Sequence, residues 1–310
     1  MDYTIYYKTQ HDNVKDGSFS NYDLFFSGYD CCTRTKTVYN DISATLKIWF
    51  IFPQYSDIKK EEYANYANIY NEESFEEDSY FANLIEKYSI TSETKLCIDI
   101  TGIIRPHLIF LIKLLYFKGI KKIDFLYSEP NHYDAAENTD FTGITGSVEN
   151  VKWCSSENNS PNVENDLLII TTGYDDQLVQ KVLQEKIRVK NKYHIIGFPS
   201  LQLDMYQESI LKLNQTRESI ENNSHTEYAP AMDPFVTAQV IHDIIGSHSD
   251  ITNIYLCPIS TKPHTLGIAL YYLTNYKDKP VSIIFPYSKK YNIGTAVGIK
   301  RIWKYTFELP

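Results

Sequence analysis

The chain has 310 residues, 43% of them apolar, with 30 Lys and Arg against 39 Asp and Glu and a net charge of −9. Length and apolar content suffice for two cores of ordinary size. The negative charge argues against an extended nucleic-acid face, which needs clustered cations to neutralise phosphates. No apolar run reaches the roughly 20 residues of a membrane span, and Met1-Asp2-Tyr3-Thr4 has neither the basic nor the apolar stretch of a signal peptide. The expectation is a cytoplasmic protein without membrane contact.

The first clear strand, Leu24-Phe25-Phe26, ends in Ser27-Gly28-Tyr29-Asp30, and a helix-compatible stretch with Thr33-Arg34-Thr35-Lys36 follows. Ile48–Pro53 is a strand closing in Phe-Pro, and the Glu-rich passage with Glu61-Glu62 and Glu76-Glu77 reads as a solvated helical face. Strand Leu96–Ile100 leads through Asp99-Ile100-Thr101-Gly102-Ile103-Ile104-Arg105 into an apolar helix, Leu108–Phe117, and Phe125-Leu126-Tyr127-Ser128 is the next strand. Asn131–Asn165 is polar and reads as linker, with a strand near Ser147–Cys154. Leu168-Ile169-Ile170 then ends in Thr171-Thr172-Gly173-Tyr174-Asp175, a helix-compatible stretch follows, and His194–Pro199 is again a strand closing in Phe-Pro. Polar Asn214–Tyr228 predicts an exposed loop with some helix; Asp233-Pro234 caps and opens a helix, Phe235–Ile245. Strand Ile254–Cys257, the loop Pro258-Ile259-Ser260-Thr261-Lys262-Pro263-His264, helix Leu266–Leu273 and strand Phe285-Pro286-Tyr287-Ser288 complete the series, and Ile302–Phe307 predicts a last strand at a sheet edge.

Four signals occur twice in the same order: Ser/Thr-Gly-Tyr-Asp, Phe-Pro, Arg/Lys-Pro-His and Phe-x-Tyr-Ser, at separations of 145, 146, 157 and 160 residues. All fall at strand ends. Strands alternating with helices signal βαβ units and parallel sheets, and right-handed crossovers gather the strand carboxyl ends on one edge, where such folds bind ligands. The expected fold is α/β: two tandem Rossmann-like units with mainly parallel sheets, related by a pseudo-two-fold duplication. The expected division is residues 1–135 for one unit, 136–165 for a linker and 166–310 for the other, with the ligand in the cleft between the halves.

The chemistry-bearing candidates sit on those strand ends. Asp99 and Thr101 lie at a strand terminus, Gly102 permits a tight turn or close approach, and Arg105 opens a helix whose dipole and N–H groups favour an anion. Asp99 and Thr101 as helix caps are the alternative. Thr261 and Lys262 present a hydroxyl and an ammonium at the matching place, without the glycines of a Walker loop. Ser27, Gly28, Asp30 and Arg34 line the first strand end; Gly173 and Tyr174 line its copy. Tyr29 and Tyr174 have two readings, base stacking or packing. No HExxH, no His/Cys cluster at metal spacing and no GxSxG elbow occurs, so neither metal nor cofactor is expected. Glu129, His107 and Asp30 are the acid/base candidates, and His107 and His264 read equally as structural residues of their helices' first turns. The five cysteines, including the Cys31-Cys32 pair, read as reduced thiols.

Asp99, Thr101 and Arg105 resemble the Asp/Asn-x-Ser/Thr-x-x-x-Arg/Lys pattern of CRISPR-associated Rossmann fold (CARF) domains, and the Thr261-Lys262 loop resembles one that often lines their pockets. The related SAVED domains fuse two CARF-like units in one chain. The resemblance covers about twenty residues of motif, and the second half departs from it with Leu256 where Asp would stand. It implies a cyclic-oligonucleotide or nucleotide sensor, with Arg105 and Lys262 on phosphates, acting through an effector protein in bacterial antiviral defence. The competing expectations are a nucleotide-cleaving enzyme on the same scaffold and a non-catalytic interaction subunit of a larger complex.

Overall fold

The structure is a computed structural model; it describes residues 1–15, 19–133, 145–173, 175–202, 205–220, 224–293 and 296–309. The chain forms β1 (Lys8–His11), β2 (Tyr22–Gly28), α1 (Thr33–Asp41), β3 (Ala44–Ile51), β4 (Ile69–Asn71), single turns α2 (Glu77–Tyr80) and α3 (Leu84–Lys87), β5 (Leu96–Asp99), α4 (Arg105–Phe117), β6 (Lys122–Glu129) and β7 (His132–Tyr133). It continues with β8 (Thr145–Asn150), β9 (Leu167–Thr172), α5 (Asp176–Glu185), β10 (Asn191–Gly197), α6 (Met205–Ile220), β11 (His225–Ala229), α7 (Pro234–Gly246), β12 (Ile254–Pro258), α8 (Lys262–Asn275), β13 (Val281–Ser288), β14 (Ala296–Val297) and β15 (Arg301–Glu308).

One sheet has the order β1-β15-β6-β5-β2-β3-β4 and the other β11-β10-β9-β12-β13-β8. Read from the β4 and β11 edges, the two orders coincide strand for strand: β2, β3, β4, β5 and β6 answer to β9, β10, β11, β12 and β13. Those five strands run parallel in each sheet. Next to them β15 pairs antiparallel with β6. Beside β13, Val151 N donates to Ile283 O while Gly146 lies against Tyr287, so β8 also runs opposite to its neighbour. The fold is α/β with two units of Rossmann type.

The unit boundaries differ from a division into halves. The first unit comprises Tyr6–Ile144 with Ser288–Pro310, the second Met1–Ile5 with Thr145–Tyr287. Ile302–Phe307 therefore belongs to the first unit's sheet, and it is no edge: β1 pairs on its far side, from Lys8 opposite Tyr305 to His11 opposite Ile302. Residues 134–144 of the expected linker lie outside the described residues, and the strand expected near Ser147 is β8. In polar Asn214–Tyr228 the expected helix is the end of α6, residues 221–223 lie outside the described residues, and His225–Tyr228 is strand β11 where a loop was expected.

Burial explains the apolar runs. β2 shows one exposed position, Asp23, and β5 none, as in strands covered on both faces. Tyr29, Tyr39, Trp49 and Val38 anchor one cluster of the first unit, with Trp49 stacked on Tyr39 at 4.1 Å and 11°. Leu168, Ile170, Val179, Val182 and Ile284 are the counterpart in the second. In the second unit Tyr3 is fully buried, its hydroxyl 2.6 Å from Thr274 Oγ1 and 2.7 Å from Asn275 Nδ2. No described helix is long and apolar enough to cross a membrane.

Candidate functional site

In the first unit the carboxyl ends of β2, β5 and β6 bring Ser27 beside Asp99 and Ser128 beside Thr101 of the β5–α4 loop. Asp99 is fully buried. Ser27 Oγ donates to its Oδ2 at 3.0 Å and Thr101 N to its Oδ1 at 3.0 Å. Thr101 Oγ1 in turn accepts from Ser128 N at 3.0 Å. Burial pushes the Asp99 carboxyl up to about 6, against these hydrogen bonds, which favour the charged form. Ser27, Asp99 and Thr101 are thus brought together, and their polar atoms lock the loop.

Gly28 and Gly102 meet backbone to backbone. A Cβ on Gly28 would lie 2.5 Å from the Gly102 carbonyl, and one on Gly102 would fall closer still to Gly28 O. Tyr55 closes this crossing from above, its hydroxyl donating to Gly102 O at 3.1 Å. The second unit repeats the device: a Cβ on Gly173 would lie 2.9 Å from Ser260 Cα. Asp30 accepts from Cys32 N (3.0 Å) and Thr35 Oγ1 (2.7 Å) at the start of α1, and Asp175 accepts from Leu178 N (3.3 Å) at the start of α5. The recurring Gly-Tyr-Asp signal therefore has a structural cause in both units: Gly for a loop crossing, Asp for a helix start. Tyr29 is fully buried, edge-on to Trp49 at 5.2 Å, with its hydroxyl on Glu62 O, so its ring packs and does not stack on a base. Tyr174 lies outside the described residues.

Arg34 turns inward. It is 7% exposed and donates through Nη1 to Ser128 O, bridging from α1 across β5 to the end of β6. Burial opposes its charge, but Tyr127, Tyr133, Cys32 and Asp30 around it raise its pKa above the ordinary value. Arg105 is the first residue of the 13-residue α4, and Ile104 at the N-cap makes no side-chain cap. Arg105 is partly exposed. Burial holds the Tyr55 hydroxyl well above its usual range; Asp30 and Tyr291 add to the rise and Arg105 opposes it.

The acid/base candidates are engaged elsewhere. Glu129, 1% exposed, accepts from Trp303 Nε1 at 2.9 Å and pairs with Lys300 at 3.1 Å and Arg301 at 3.3 Å, pinning β15 to β6. His107 is packed among Phe52, Tyr80 and Phe81, with ring centroids 5.0, 5.5 and 6.1 Å away. Its counterpart His264 hydrogen-bonds Pro230 O through Nε2 at 3.1 Å, and burial lowers its pKa to about 4. Cys31 donates to Glu62, and burial with that carboxylate pushes the thiol up to about 12, far from a reactive thiolate.

In the second unit Thr261 caps α8, accepting from His264 N at 3.3 Å while donating to Ala231 O at 2.6 Å. Lys262 is the first helical residue beside it, partly exposed. Among the described residues no group of three or more His, Cys, Asp or Glu is placed to hold a metal ion.

No protein-family model matches this sequence, and no curated protein matches it. Among solved structures, the chain is similar to a ketoreductase domain from the bacillaene assembly line, at 9% identity and a TM-score of 0.29, over 89% of this chain and 71% of that one. A score of that size passes no function to this chain.

Sequence reasoning missed Tyr55, which stands alone in a tyrosine-rich chain; its position two residues after Phe52-Pro53 at a strand end was the available signal. It also missed Lys300, Arg301 and Trp303 as the partners of Glu129, because they arrive from the far end of the chain.

Proposed function

We propose that the protein is a binding module for a nucleotide or cyclic nucleotide, acting as a sensor or regulatory subunit. In this reading the ligand's phosphate is held at the carboxyl edge of the first unit's sheet. The observation that carries it is Arg105: a partly exposed arginine on the first residue of a 13-residue helix without a capping side chain, in the loop that follows the carboxyl end of β5. Dipole and planar fork favour a phosphate there.

Binding is favoured over bond cleavage because Glu129, His107 and Asp30 spend their polar or packing capacity on the fold. A module of this kind acts on its surroundings through a partner protein.

Thermal-shift titration with AMP, ATP and cyclic dinucleotides tests the reading. Wild type should be stabilised by at least one of them, and Arg105→Glu should lose that stabilisation with an unchanged melting temperature in the ligand's absence. A charge-assisted contact to phosphate is worth about 1.5–3 kcal/mol, so reversal should weaken binding by about tenfold or more. Equal stabilisation of wild type and variant rejects the reading.

A further inference from the structure

The Phe-Pro that closes β3 and the Phe-Pro that closes β10 occupy matching places in the two sheets, yet their phenylalanines have opposite fates. Phe52 is 1% exposed, packed against Tyr80 and His107. Phe198 is 52% exposed. Its ring lies 4.7 Å from that of Tyr206, in the first turn of α6, and 6.3 Å from that of Tyr228, near the end of β11. Tyr206 and Tyr228 are 6.2 Å apart with their hydroxyls hydrogen-bonded, and Tyr228 is 44% exposed. At the matching place the first unit uses its ring for the core; the second presents a three-ring surface to solvent, on the carboxyl edge where parallel sheets bind ligands.

The platform is tied to a cation within the same unit. Phe198 N donates to Ala229 O at 2.8 Å, Ala231 N to Pro199 O at 2.9 Å, and Thr261 Oγ1 to Ala231 O at 2.6 Å. Lys262 follows Thr261 and opens the 14-residue α8. Three hydrogen bonds thus join the loops after β10, β11 and β12 into one frame, with the aromatic rings on the β10 and β11 side and the first residue of α8, Lys262, on the β12 side.

We propose that Phe198, Tyr206 and Tyr228 form a stacking platform for the base of a nucleotide, with Lys262 on the side of its phosphate. The inference rests on the nucleotide reading above for the class of ligand and assigns the second unit a nucleotide site of its own. Base stacking on an aromatic ring is sequence-tolerant, and its loss weakens binding about tenfold or more. Tyrosine suits this work because it offers large area with few rotamers to freeze.

The test uses the full chain and 2-aminopurine ribonucleoside 5′-monophosphate, whose fluorescence falls when its base stacks. Wild type should bind and quench it, and Tyr228→Phe, which keeps the ring, should do the same. The Phe198→Ala/Tyr228→Ala double variant should bind it about tenfold or more weakly and lose the quenching, with an unchanged melting temperature. Equal quenching and affinity in the double variant overturn the platform while the nucleotide reading stands. Absence of binding to wild type overturns both.

Discussion

Asp99 and His264 are two buried titratable groups that pull stability in opposite directions with pH. Folding raises the Asp99 pKa from 3.8 to about 6, so its contribution is fully present below about pH 4 and is lost as pH rises through 6. The change amounts to at most about 3 kcal/mol. Folding lowers the His264 pKa from 6.5 to about 4, so its contribution is present above about pH 6.5 and is lost as pH falls through 4. Urea melts at pH 4, 5, 6 and 7 should separate them. Asp99→Asn should lose less stability than wild type between pH 4 and 6, and His264→Gln should lose less on acidification below pH 6.5. Parallel profiles for either variant and wild type would contradict the assignment for that residue. Gly102 carries the third residue-scale prediction. Its Cβ would collide with Gly28 O, which is backbone and cannot swing aside. Gly102→Ala should cost about 1–3 kcal/mol in a urea melt; an unaffected midpoint would remove the loop crossing from the account.

At the scale of elements, β15 is held by buried charge. Glu129 joins Lys300, Arg301 and Trp303, while Asp124 accepts from Tyr22 and Thr306 and pairs with Lys304 at 2.9 Å. Lys300 and Arg301 are partly exposed, which discounts their pairs. The carboxylate itself is buried, so its removal leaves two cations and an indole N–H without their acceptor. Glu129→Ala should therefore cost about 1–3 kcal/mol while leaving nucleotide affinity within a factor of two, read by urea melts and titration of the same samples. Loss of binding without loss of stability would return Glu129 to the ligand.

Strands whose burial is two-sided were legible for the same physical reason that they are central: Leu24–Phe26, Leu96–Ile98, Leu168–Ile170 and Ile254–Cys257 are apolar without interruption. β1 (Lys-Thr-Gln-His) and β11 (His-Thr-Glu-Tyr-Ala) are short, polar edge strands and β4 (Ile-Tyr-Asn) is only three residues long; their stability comes from neighbours, so no periodicity announces them. The strand ends of the site were legible as places. What each side chain does there was not: Arg34 reads as one more cation on a strand end, and that it turns inward depends on Ser128 O, on a strand 94 residues away.

For the whole molecule, the chain passes from one unit to the other at residues 5–6, 144–145 and 287–288. Apolar pattern assigns Ile302–Phe307 to a strand but names no partner, which is why a division at residues 135 and 166 looked natural. A fragment ending at residue 135 lacks β15, leaving β6 with a bare edge and Asp124 and Glu129 buried without their cations. It should show lost near-ultraviolet circular dichroism and a broad, non-cooperative melt. A cooperative melt would contradict the unit boundaries. At this scale the matched strand order of the two sheets makes the carboxyl edges the natural place for ligand, with Arg105 opening α4 in one and Lys262 opening α8 in the other. Native mass spectrometry of the freshly purified full chain, wild type beside Arg105→Glu, tests that most directly. The account predicts a phosphate-bearing nucleotide retained by wild type and at clearly lower occupancy by the variant; an adduct kept equally by both, or one without phosphate, would contradict it.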